Sequence, residues 1–254
     1  IACFVSAVNQ FLKKRKIFKG SISFLITGDE EGLAINGTKK VVDYLKKKRE
    51  KIDFCIIGEP TNPNKLGEMI KIGRRGSLSG LIKISGIQGH IAYPHLVNNP
   101  INTLVAVCKK LKEKKLDWGN KNFQPSNLEF TSINVDNKAT NVIPASARAQ
   151  FNIRFNNLHT SSSLKKKISS VVKNISKKNK CKFRIDFHVS GESFHTKPND
   201  TIYMAKKIIK KITKITPKFS TTGGTSDARF IRKISPCLEF GLVNKTMHKI
   251  DECV

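Results

Sequence analysis

The stretch that decides the fold runs from residue 22 to residue 31 and reads ISFLITGDEE. Its first part is mostly apolar and ends in three acids, which predicts a buried strand followed by an acidic turn. Residues 52–59 read IDFCIIGE and repeat the arrangement, ending at Glu59. Because ligands of open α/β sheets gather at the carboxyl ends of the strands, we expect the two acidic segments to lie close together.

Carboxylates that converge repel one another unless a cation or a proton holds them. A divalent metal site is therefore the first hypothesis for Glu30, Glu31 and Glu59. Glu30 and Glu31 are neighbours that point to opposite sides of extended backbone, so one could bind a metal while the other faces a bound water. The alternative is a solvated acidic turn, and Glu59 could equally be a turn carboxylate aimed by Pro60. His248 is an isolated histidine that could join the acids or be structural.

Alternating strands and helices predict an α/β protein whose parallel or mixed sheet is flanked by helices. Within residues 77–187 the order changes to β-α-β-β-α-β, which is the ferredoxin-like pattern. We therefore expect one domain made of residues 1–76 and 188–254, with a second domain of residues 77–187 inserted into it. Outside the insertion, helices are expected at 1–14, 38–50, 200–212 and 228–232, and strands at 21–27, 52–58 and 237–241.

The composition describes a globular chain with a large basic excess. Its 254 residues include 47 Lys and Arg against 19 Asp and Glu, for a formal charge of +28. The excess is mostly Lys on the polar faces of predicted helices such as 160–180, and it is not interleaved with aromatic residues. We interpret it as solvated helix faces, with a field for an anionic substrate and nucleic-acid binding as alternatives.

The apolar residues and the cysteines restrict the location of the protein. No apolar run approaches the roughly 20 residues that span a bilayer. The six cysteines are scattered without a close pair, and most of them lie in apolar strands or helices, which predicts buried free thiols at those positions. We therefore expect a reducing, cytoplasmic location.

Two histidines and three arginines are candidates for binding or catalysis. His90 lies in a polar segment after a predicted strand and could donate a hydrogen bond to a developing oxyanion, although a plain loop histidine has the same pattern, as it does for His95. Arg74, Arg75 and Arg154 are guanidiniums in a chain dominated by lysine. Arginine is the better bidentate clamp for carboxylates, and structural ion pairs are the alternative.

Two predicted turns complete the set of candidates. Asn141 lies between two strands, where turn chemistry alone would explain it. Residues 223–227 read GGTSD and could present backbone N–H groups to an anion, but a tight turn would have the same composition.

Together these segments resemble the co-catalytic zinc amidohydrolases and aminoacylase-type peptidases. The likeness extends over nearly the whole chain, in the order that the family has. The motifs that carry it are 28–32 (GDEEG), 58–61 (GEPT), 73–76 (GRRG), 89–95 (GHIAYPH), 141–144 (NVIP), 151–154 (FNIR), 223–227 (GGTSD) and 248–254 (HKIDECV).

The resemblance implies a metal-dependent amide hydrolase with two zinc ions, which cobalt could replace. It implies that Glu30 is the general base, that Glu31 and His248 bind one zinc, and that Glu59 binds the other. It also implies a homodimer built through the inserted domain, a small anionic substrate, and no nucleic-acid or membrane partner.

The same resemblance assigns the remaining site residues. His90 is expected to act in catalysis and, with Asn141, to reach into the active site of the opposite subunit. Residues expected to hold substrate carboxylates or to lie beside them are Arg74, Arg154, Gly224, Thr225 and Tyr93. An acetylornithine deacetylase, a dipeptidase-like relative and a non-catalytic dimerisation module are the alternatives.

The chain departs from the family at both ends. The family has a histidine and a metal-bridging aspartate on segments before the position of Ile1, and a further helix after His248. We interpret the chain as truncated and expect it to bind metal poorly by itself, because zinc normally takes three or four protein ligands.

Overall fold

The computed structural model describes residues 1–15, 17–32, 34–243, 245–247, 249–251 and 253. The chain divides into two compact units. Unit 1 contains Ile1–Ile72, Thr196–Phe219 and Ser226–Val254, and unit 2 contains Gly73–His195 and Ser220–Thr225.

The described residues form helices and strands that alternate along most of the chain. The helices are α1 Ala2–Lys14, α2 Thr38–Lys48, α3 Pro100–Lys112, α4 Ser161–Lys178, α5 Asp200–Thr213 and α6 Ala228–Ile231. The strands are β1 Cys55–Ile57, β2 Met69–Lys71, β3 Gly73–Arg74, β4 Gly76–Ser85, β5 Gly89–His90, β6 Asn127–Asn134, β7 Val142–Ile143, β8 Ser146–Phe155, β9 Lys182–Gly191, β10 Phe194–His195, β11 Lys218–Ser220 and β12 Cys237–Glu239. None of the described helices has the length and apolarity to cross a bilayer.

Unit 2 is built on an antiparallel sheet with the strand order β6-β8-β4-β9. With α3 after β4 and α4 after β8, this is the β-α-β-β-α-β order, so the predicted fold class is confirmed. Side chains in β8 alternate between buried and more exposed positions, as expected for a sheet with one covered face. The buried side chains of the sheet and both helices form one core that includes Leu78, Ile82, Leu104, Phe151 and Leu164.

Local sequence sets where the two helices of unit 2 begin. The side chain of Asn99 accepts a hydrogen bond from the backbone N–H of Ile101, and Pro100 occupies the first turn of α3. Thr160 and Ser163 exchange side-chain and backbone hydrogen bonds at the start of α4. Such a capping box satisfies N–H groups that the helix itself leaves without acceptors.

A phenylalanine and a glycine pack closely in the centre of the unit 2 core. Phe151 is only 2% exposed. Its ring lies edge-on to Phe130 and Phe187, at centroid distances of 6.1 and 6.4 Å. A Cβ atom on Gly80, the residue paired with Phe151 in β4, would lie 2.3 Å from that ring. The glycine therefore provides the space that the phenylalanine ring fills.

Asp117 fixes the segment that follows α3 in unit 2. Its Oδ1 accepts hydrogen bonds from the N–H of Gly119 at 2.7 Å and from Nδ2 of Asn156 at 2.6 Å. Its Oδ2 lies 3.1 Å from Nε2 of His159. Burial opposes ionisation of Asp117, but hydrogen bonds from Ser126, Gly119 and Asn156 outweigh burial and lower the pKa of the carboxyl group.

Replacing Asp117 with asparagine should destabilise unit 2 in a pH-dependent way. A lowered pKa in the folded state means that the carboxylate stabilises the protein above its unfolded-state pKa of about 3.9, and that this contribution is lost as the pH falls through the folded-state value. We expect Asp117→Asn to cost about 1–3 kcal/mol at neutral pH. The cost should shrink toward zero as the pH falls from above the unfolded-state pKa through the lower, folded-state pKa.

The measurement for Asp117 is urea unfolding of both proteins across this pH range. Asp136→Asn is the matched control, because its side chain is 83% exposed and makes a surface ion pair with Arg148. That control should change the free energy of unfolding by less than about 1 kcal/mol. A cost for Asp117→Asn that is equal at all pH values would contradict the assigned role of the charge.

Unit 1 contains a mixed sheet with the strand order β1-β12-β2-β11. β1 and β12 are parallel, with Cys55 opposite Cys237, and β12 is antiparallel to β2. The core around this sheet is small, with Ile70, Ile202 and Leu238 fully or almost fully buried.

The strand expected at residues 21–27 is wrong. These residues form no strand with any other described part of the chain. Ile22, Phe24, Leu25 and Ile26 are 42–61% exposed. Apolar and β-branched residues favour extended backbone, but a strand exists only where a neighbouring strand provides hydrogen-bond partners.

The unit boundaries lie at positions that differ from the expected ones. Unit 2 begins at Gly73 and continues to His195, so the expected boundary between 187 and 188 falls inside β9. Residues 220–225 also belong to unit 2 by their contacts. In this region β10 pairs with β3, which brings His195 opposite Gly73.

Candidate active site

The acidic turn of unit 1 is shaped by Asp29. Its carboxylate accepts hydrogen bonds from the backbone N–H groups of Ile35 at 2.5 Å and Asn36 at 2.6 Å. The N–H of Ala34 donates to the Asp29 carbonyl at 3.0 Å. The hydrogen bond from Asn36, assisted by those of its neighbours, lowers the pKa of Asp29. The Asp29 carboxylate is therefore occupied by hydrogen bonds within the loop. The two following glutamates remain as the candidates for catalysis and metal binding.

The side chains of Glu30 and Glu31 lie close enough to influence each other. The side chain of Glu30 is 27% exposed, and it shares a hydrogen bond with Glu31. Burial raises the pKa of Glu30, and repulsion from Glu31 and Asp227 raises it further. Arg229 opposes this shift, with its Nη1 3.9 Å from Oε1 of Glu30.

Asp227 lies beside this glutamate pair because two threonines hold it. The hydroxyl of Thr38 donates a short hydrogen bond to Oδ2 of Asp227, and the hydroxyl of Thr27 lies 3.5 Å from the same oxygen. The two hydroxyl oxygens are 2.9 Å apart. These contacts connect the segment before the acidic turn to the first residue of α2 and to the start of α6.

Sequence reasoning missed Asp227 and Arg229 as neighbours of Glu30. Asp227 ends the GGTSD motif, which was interpreted only as a turn or an anion site. Arg229 lies two residues further on, and an isolated arginine in a lysine-rich chain was a usable signal.

Glu59 is positioned by the pairing of β1 with β12. The segments after the two strands continue side by side, with the N–H of Asn62 donating to the Leu242 carbonyl at 3.2 Å. A Cβ atom on Gly241 would lie 2.5 Å from the carbonyl oxygen of Glu59, so only glycine allows this backbone approach. Glu59 is half-buried at this point.

The donor set of unit 1 provides part of a metal site. Carboxylates such as Glu31 and Glu59 are ligands for zinc and other divalent cations. Among the described residues, however, no three His, Cys, Asp or Glu side chains lie close enough together to hold a metal ion. His248, the expected imidazole ligand, lies outside the described residues. The described side chains alone therefore do not complete a metal site.

A short ribbon in unit 2 brings His90 and Asn141 together. β5 pairs with β7, which places His90 opposite Val142, and the N–H of Ile91 donates to the Asn141 carbonyl at 3.0 Å. The backbone N–H of Ala92 donates to Nδ1 of His90 at 3.1 Å. Because Nδ1 accepts, the neutral imidazole carries its proton on Nε2 and can donate it.

The residues of this ribbon are open to solvent. His90, Asn141 and Tyr93 are all exposed, and Tyr93 retains 56% of its accessible surface. The rings of His90 and Tyr93 lie 6.0 Å apart between centroids. The arrangement therefore presents an imidazole, an amide and a phenol from one exposed edge of unit 2.

Arg74 meets the glycine turn of residues 223–225 within unit 2. Arg74 is 7% exposed, and its Nη1 donates to the carbonyl of Gly224 at 3.3 Å. Gly223 has a positive φ of 101°, which glycine adopts without strain. A Cβ atom on Gly224 would meet no other described atom within 4 Å, so space remains beside the turn and Thr225.

Arg154 lies in β8, between Ser77 of β4 and Asn127 of β6. Its side chain is half-buried, and burial lowers the pKa of its guanidinium group.

The site residues predicted from the sequence are divided between the two units. Unit 1 holds Glu30, Glu31 and Glu59, and unit 2 holds the ribbon, the Arg74 turn and Arg154.

Comparison with known proteins decides the family. Residues 72–180 match the peptidase dimerisation domain of the M20 family. The whole chain is 66% identical to a protein named succinyl-diaminopimelate desuccinylase from Pelagibacter ubique strain HTCC1062, and it covers 66% of that protein. The chain belongs to the M20 family of metallohydrolases.

Solved structures show the same fold at low sequence identity. A tripeptidase from Staphylococcus aureus is 18% identical and superposes with a TM-score of 0.74 over 94% of this chain and 61% of its own. An M20 family metallo-carboxypeptidase, Sso-CP2 from Sulfolobus solfataricus, is 16% identical with a TM-score of 0.63 over 89% of this chain and 64% of its own.

This M20 chain spans about two thirds of the length of the curated relatives it matches. Its family membership implies a divalent metal ion in the active site. The match to the dimerisation domain covers most of unit 2, including α3, α4 and the long strands β4, β6 and β8, and it ends before β9. The carboxylates of unit 1, Glu30, Glu31, Glu59 and Asp227, lie outside the matched residues.

Proposed function

We propose that the protein is a metal-dependent amide hydrolase that removes succinate from N-succinyl-LL-2,6-diaminopimelate. Water and the amide would give succinate and LL-2,6-diaminopimelate, a step in the synthesis of lysine and cell-wall precursors. The observation that carries the proposal is the 66% identity, over the whole chain, to a protein that bears the name of this activity. The paired carboxyl groups of Glu30 and Glu31 agree with it.

The proposed cofactor is a pair of zinc ions, which cobalt could replace. Glu31 and His248 would hold one ion, and Glu59 would contribute to the other. When bound, the ions would polarise the amide carbonyl and lower the pKa of the attacking water. The interaction between the Glu30 and Glu31 side chains supports a cation here, because their negative charges otherwise repel each other.

Glu30 is the proposed proton carrier. It would accept a proton from the attacking water and then pass that proton to the leaving amine. A pKa raised by burial and by neighbouring carboxylates brings Glu30 closer to neutral pH, where a base can both accept and release a proton efficiently. Arg229, with its Nη1 3.9 Å from Oε1 of Glu30, opposes this rise of the Glu30 pKa.

His90 is the proposed donor to the oxyanion. Its Nδ1 is occupied by the N–H of Ala92, so Nε2 is free to present a proton to the oxygen on which charge develops. His90 and Asn141 stand at an exposed ribbon of the dimerisation domain. We therefore propose a homodimer in which these two side chains serve the active site of the partner subunit.

The remaining residues would bind the carboxylates of the substrate. Arg74 lies against the Gly224 turn, where Thr225 and backbone N–H groups could assist it. Arg154 supplies a second guanidinium, and Tyr93 is a neighbour of the His90 ribbon. The positive net charge of the protein favours binding of this anionic substrate. We propose neither a nucleic-acid nor a membrane partner. The free state of all six cysteines supports a cytoplasmic location.

A non-catalytic dimerisation module is the second candidate. The observation that favours it is the absence, among the described side chains, of a complete group of metal ligands. Zinc content separates the two proposals, because a module of this kind would hold almost no zinc in its native state.

The test of the proposed function uses the protein encoded by the complete gene. Succinate release from N-succinyl-LL-2,6-diaminopimelate should be measured with zinc supplied, after chelation, and after zinc is restored. We expect release to disappear on chelation and to return with zinc. Release that persists without metal, or that never appears, would overturn the proposal.

A further inference from the structure

Arg75 and Arg154 bring two guanidinium groups to the same end of the unit 2 sheet. Arg154 is paired with Asn127 across β6 and β8. Arg75 donates from Nη1 to Oδ1 of Asn127 at 3.0 Å and to the carbonyl of Pro125 at 3.2 Å. The guanidinium of Arg75 is therefore held against the residue that lies directly opposite Arg154.

Both guanidiniums retain donors that the described residues do not satisfy. Nε of Arg75 and Nη1 of Arg154 are buried and have no hydrogen-bond partner among the described atoms. A buried N–H group without an acceptor is unfavourable, and more so when the group is charged. Such donors indicate a place where an acceptor is expected to bind.

Other arginines of unit 2 differ from this pair. Arg148 and Arg184 each have a carboxylate partner, Asp136 at 3.2 Å and Asp186 at 3.0 Å. For Arg75 and Arg154, burial lowers both pKa values, and the positive charge of Arg154 lowers the pKa of Arg75 further. The two like charges thus repel each other, and no acid of the described residues is seen to offset them.

We propose that Arg75 and Arg154 form a two-guanidinium site for a carboxylate, and that both guanidinium groups contribute to the affinity of this site. A carboxylate offers two acceptor oxygens, which match the unsatisfied donors of the pair and reduce the repulsion between the two charges. The inference rests on the proposed function for the identity of the anion, which is the terminal carboxylate of the succinyl group. Phosphate shares this chemistry and is distinguished below.

The experiment is isothermal titration of the 254-residue chain with succinate, and with inorganic phosphate and neutral succinamide in parallel at equal ionic strength. Succinate should bind and succinamide should not. Arg75→Gln should raise the dissociation constant for succinate about tenfold, because one charged hydrogen-bond donor is removed. Arg75→Lys keeps the positive charge but lacks the forked N–H donors of a guanidinium group. It should raise the dissociation constant for succinate only about twofold to threefold.

The conservative variant separates binding from a merely structural role. If Arg75 only anchored the segment around Pro125 and Asn127, lysine and glutamine would weaken succinate binding equally. Arg148→Gln is the matched control, because it removes a guanidinium from the same strand as Arg154 that already has a carboxylate partner. It should leave the dissociation constant within twofold.

A second variant protects the test against misfolding of the first. Arg154→Gln should weaken succinate binding at least as much as Arg75→Gln, while each variant keeps the far-ultraviolet circular dichroism of the parent chain. An unchanged dissociation constant in both variants, or tighter binding of phosphate than of succinate, would overturn the proposal. The titration involves no turnover, so a failure to release succinate in the assay above would refute the proposed function without altering this result.

Discussion

Replacing Glu30 with glutamine should lower kcat for succinate release about a thousandfold, with little change in KM. Glutamine has nearly the shape of glutamate but can neither accept the proton of the attacking water nor return one to the leaving amine. A positioned general base typically contributes a factor of about 100 to 10,000 to the rate. The substrate carboxylates are assigned to arginines in unit 2, so ground-state binding should persist. The measurement is steady-state succinate release by the zinc-loaded protein encoded by the complete gene.

Two controls make the Glu30 result specific. Glu50→Gln removes an exposed carboxylate from the end of the segment after α2 and should leave kcat within twofold. The zinc content of Glu30→Gln should equal that of the parent, because Glu31 and Glu59 are the proposed ligands. A kcat that falls less than tenfold, or a loss of activity that simply follows a loss of zinc, would contradict the role of general base.

Replacing Phe151 with alanine should destabilise unit 2 by about 3–5 kcal/mol, the usual cost of removing a buried aromatic ring. The ring is 2% exposed, contacts Phe130 and Phe187, and fills the space over Gly80. Long ladders of backbone hydrogen bonds hold β8 between β4 and β6. The core therefore cannot collapse into the space that the ring leaves. Hydrogen exchange of peptides from β4 and β8 measures the effect locally.

The control for Phe151 is a phenylalanine at the edge of the same sheet. Phe183, in β9, is 39% exposed, and Phe183→Ala should cost about 1 kcal/mol or less. Equal acceleration of hydrogen exchange in the two variants would show that the Phe151 cluster does not dominate the core.

The sequence predicted unit 2 better than unit 1, for physical reasons. β4, β8 and α4 are long, and each buries one face in a regular pattern, so their periodicity is visible without knowledge of their partners. The helix predicted at 160–180 is present as α4, Ser161–Lys178. Short strands such as β2 and β3 have too few residues to show a period, and they exist only because β12 and β10 lie beside them.

For the candidate site, the sequence indicates residue types but not the contacts between them. The acids at Glu30, Glu31 and Glu59 were identified as a group, because apolar segments precede them. Asp227 and Arg229, which shift the pKa of Glu30, come from a segment about 200 residues later. No local pattern in the sequence links them to Glu30. The roles assigned to His90, Arg74 and the other site residues stay predictions.

The parallel pairing of β1 with β12 has a consequence for synthesis of the protein on the ribosome. Cys55 of β1 can pair with Cys237 of β12 only when nearly all of the described chain has left the ribosome. The long strands of unit 2 are complete far earlier, so we expect that sheet to form first on the nascent chain. Until β12 arrives, the apolar residues of β1 and β2 lack their neighbour, and long-range pairing of this kind is slow. We therefore expect chaperones to act mainly on the last step, in which β12 completes the sheet of unit 1.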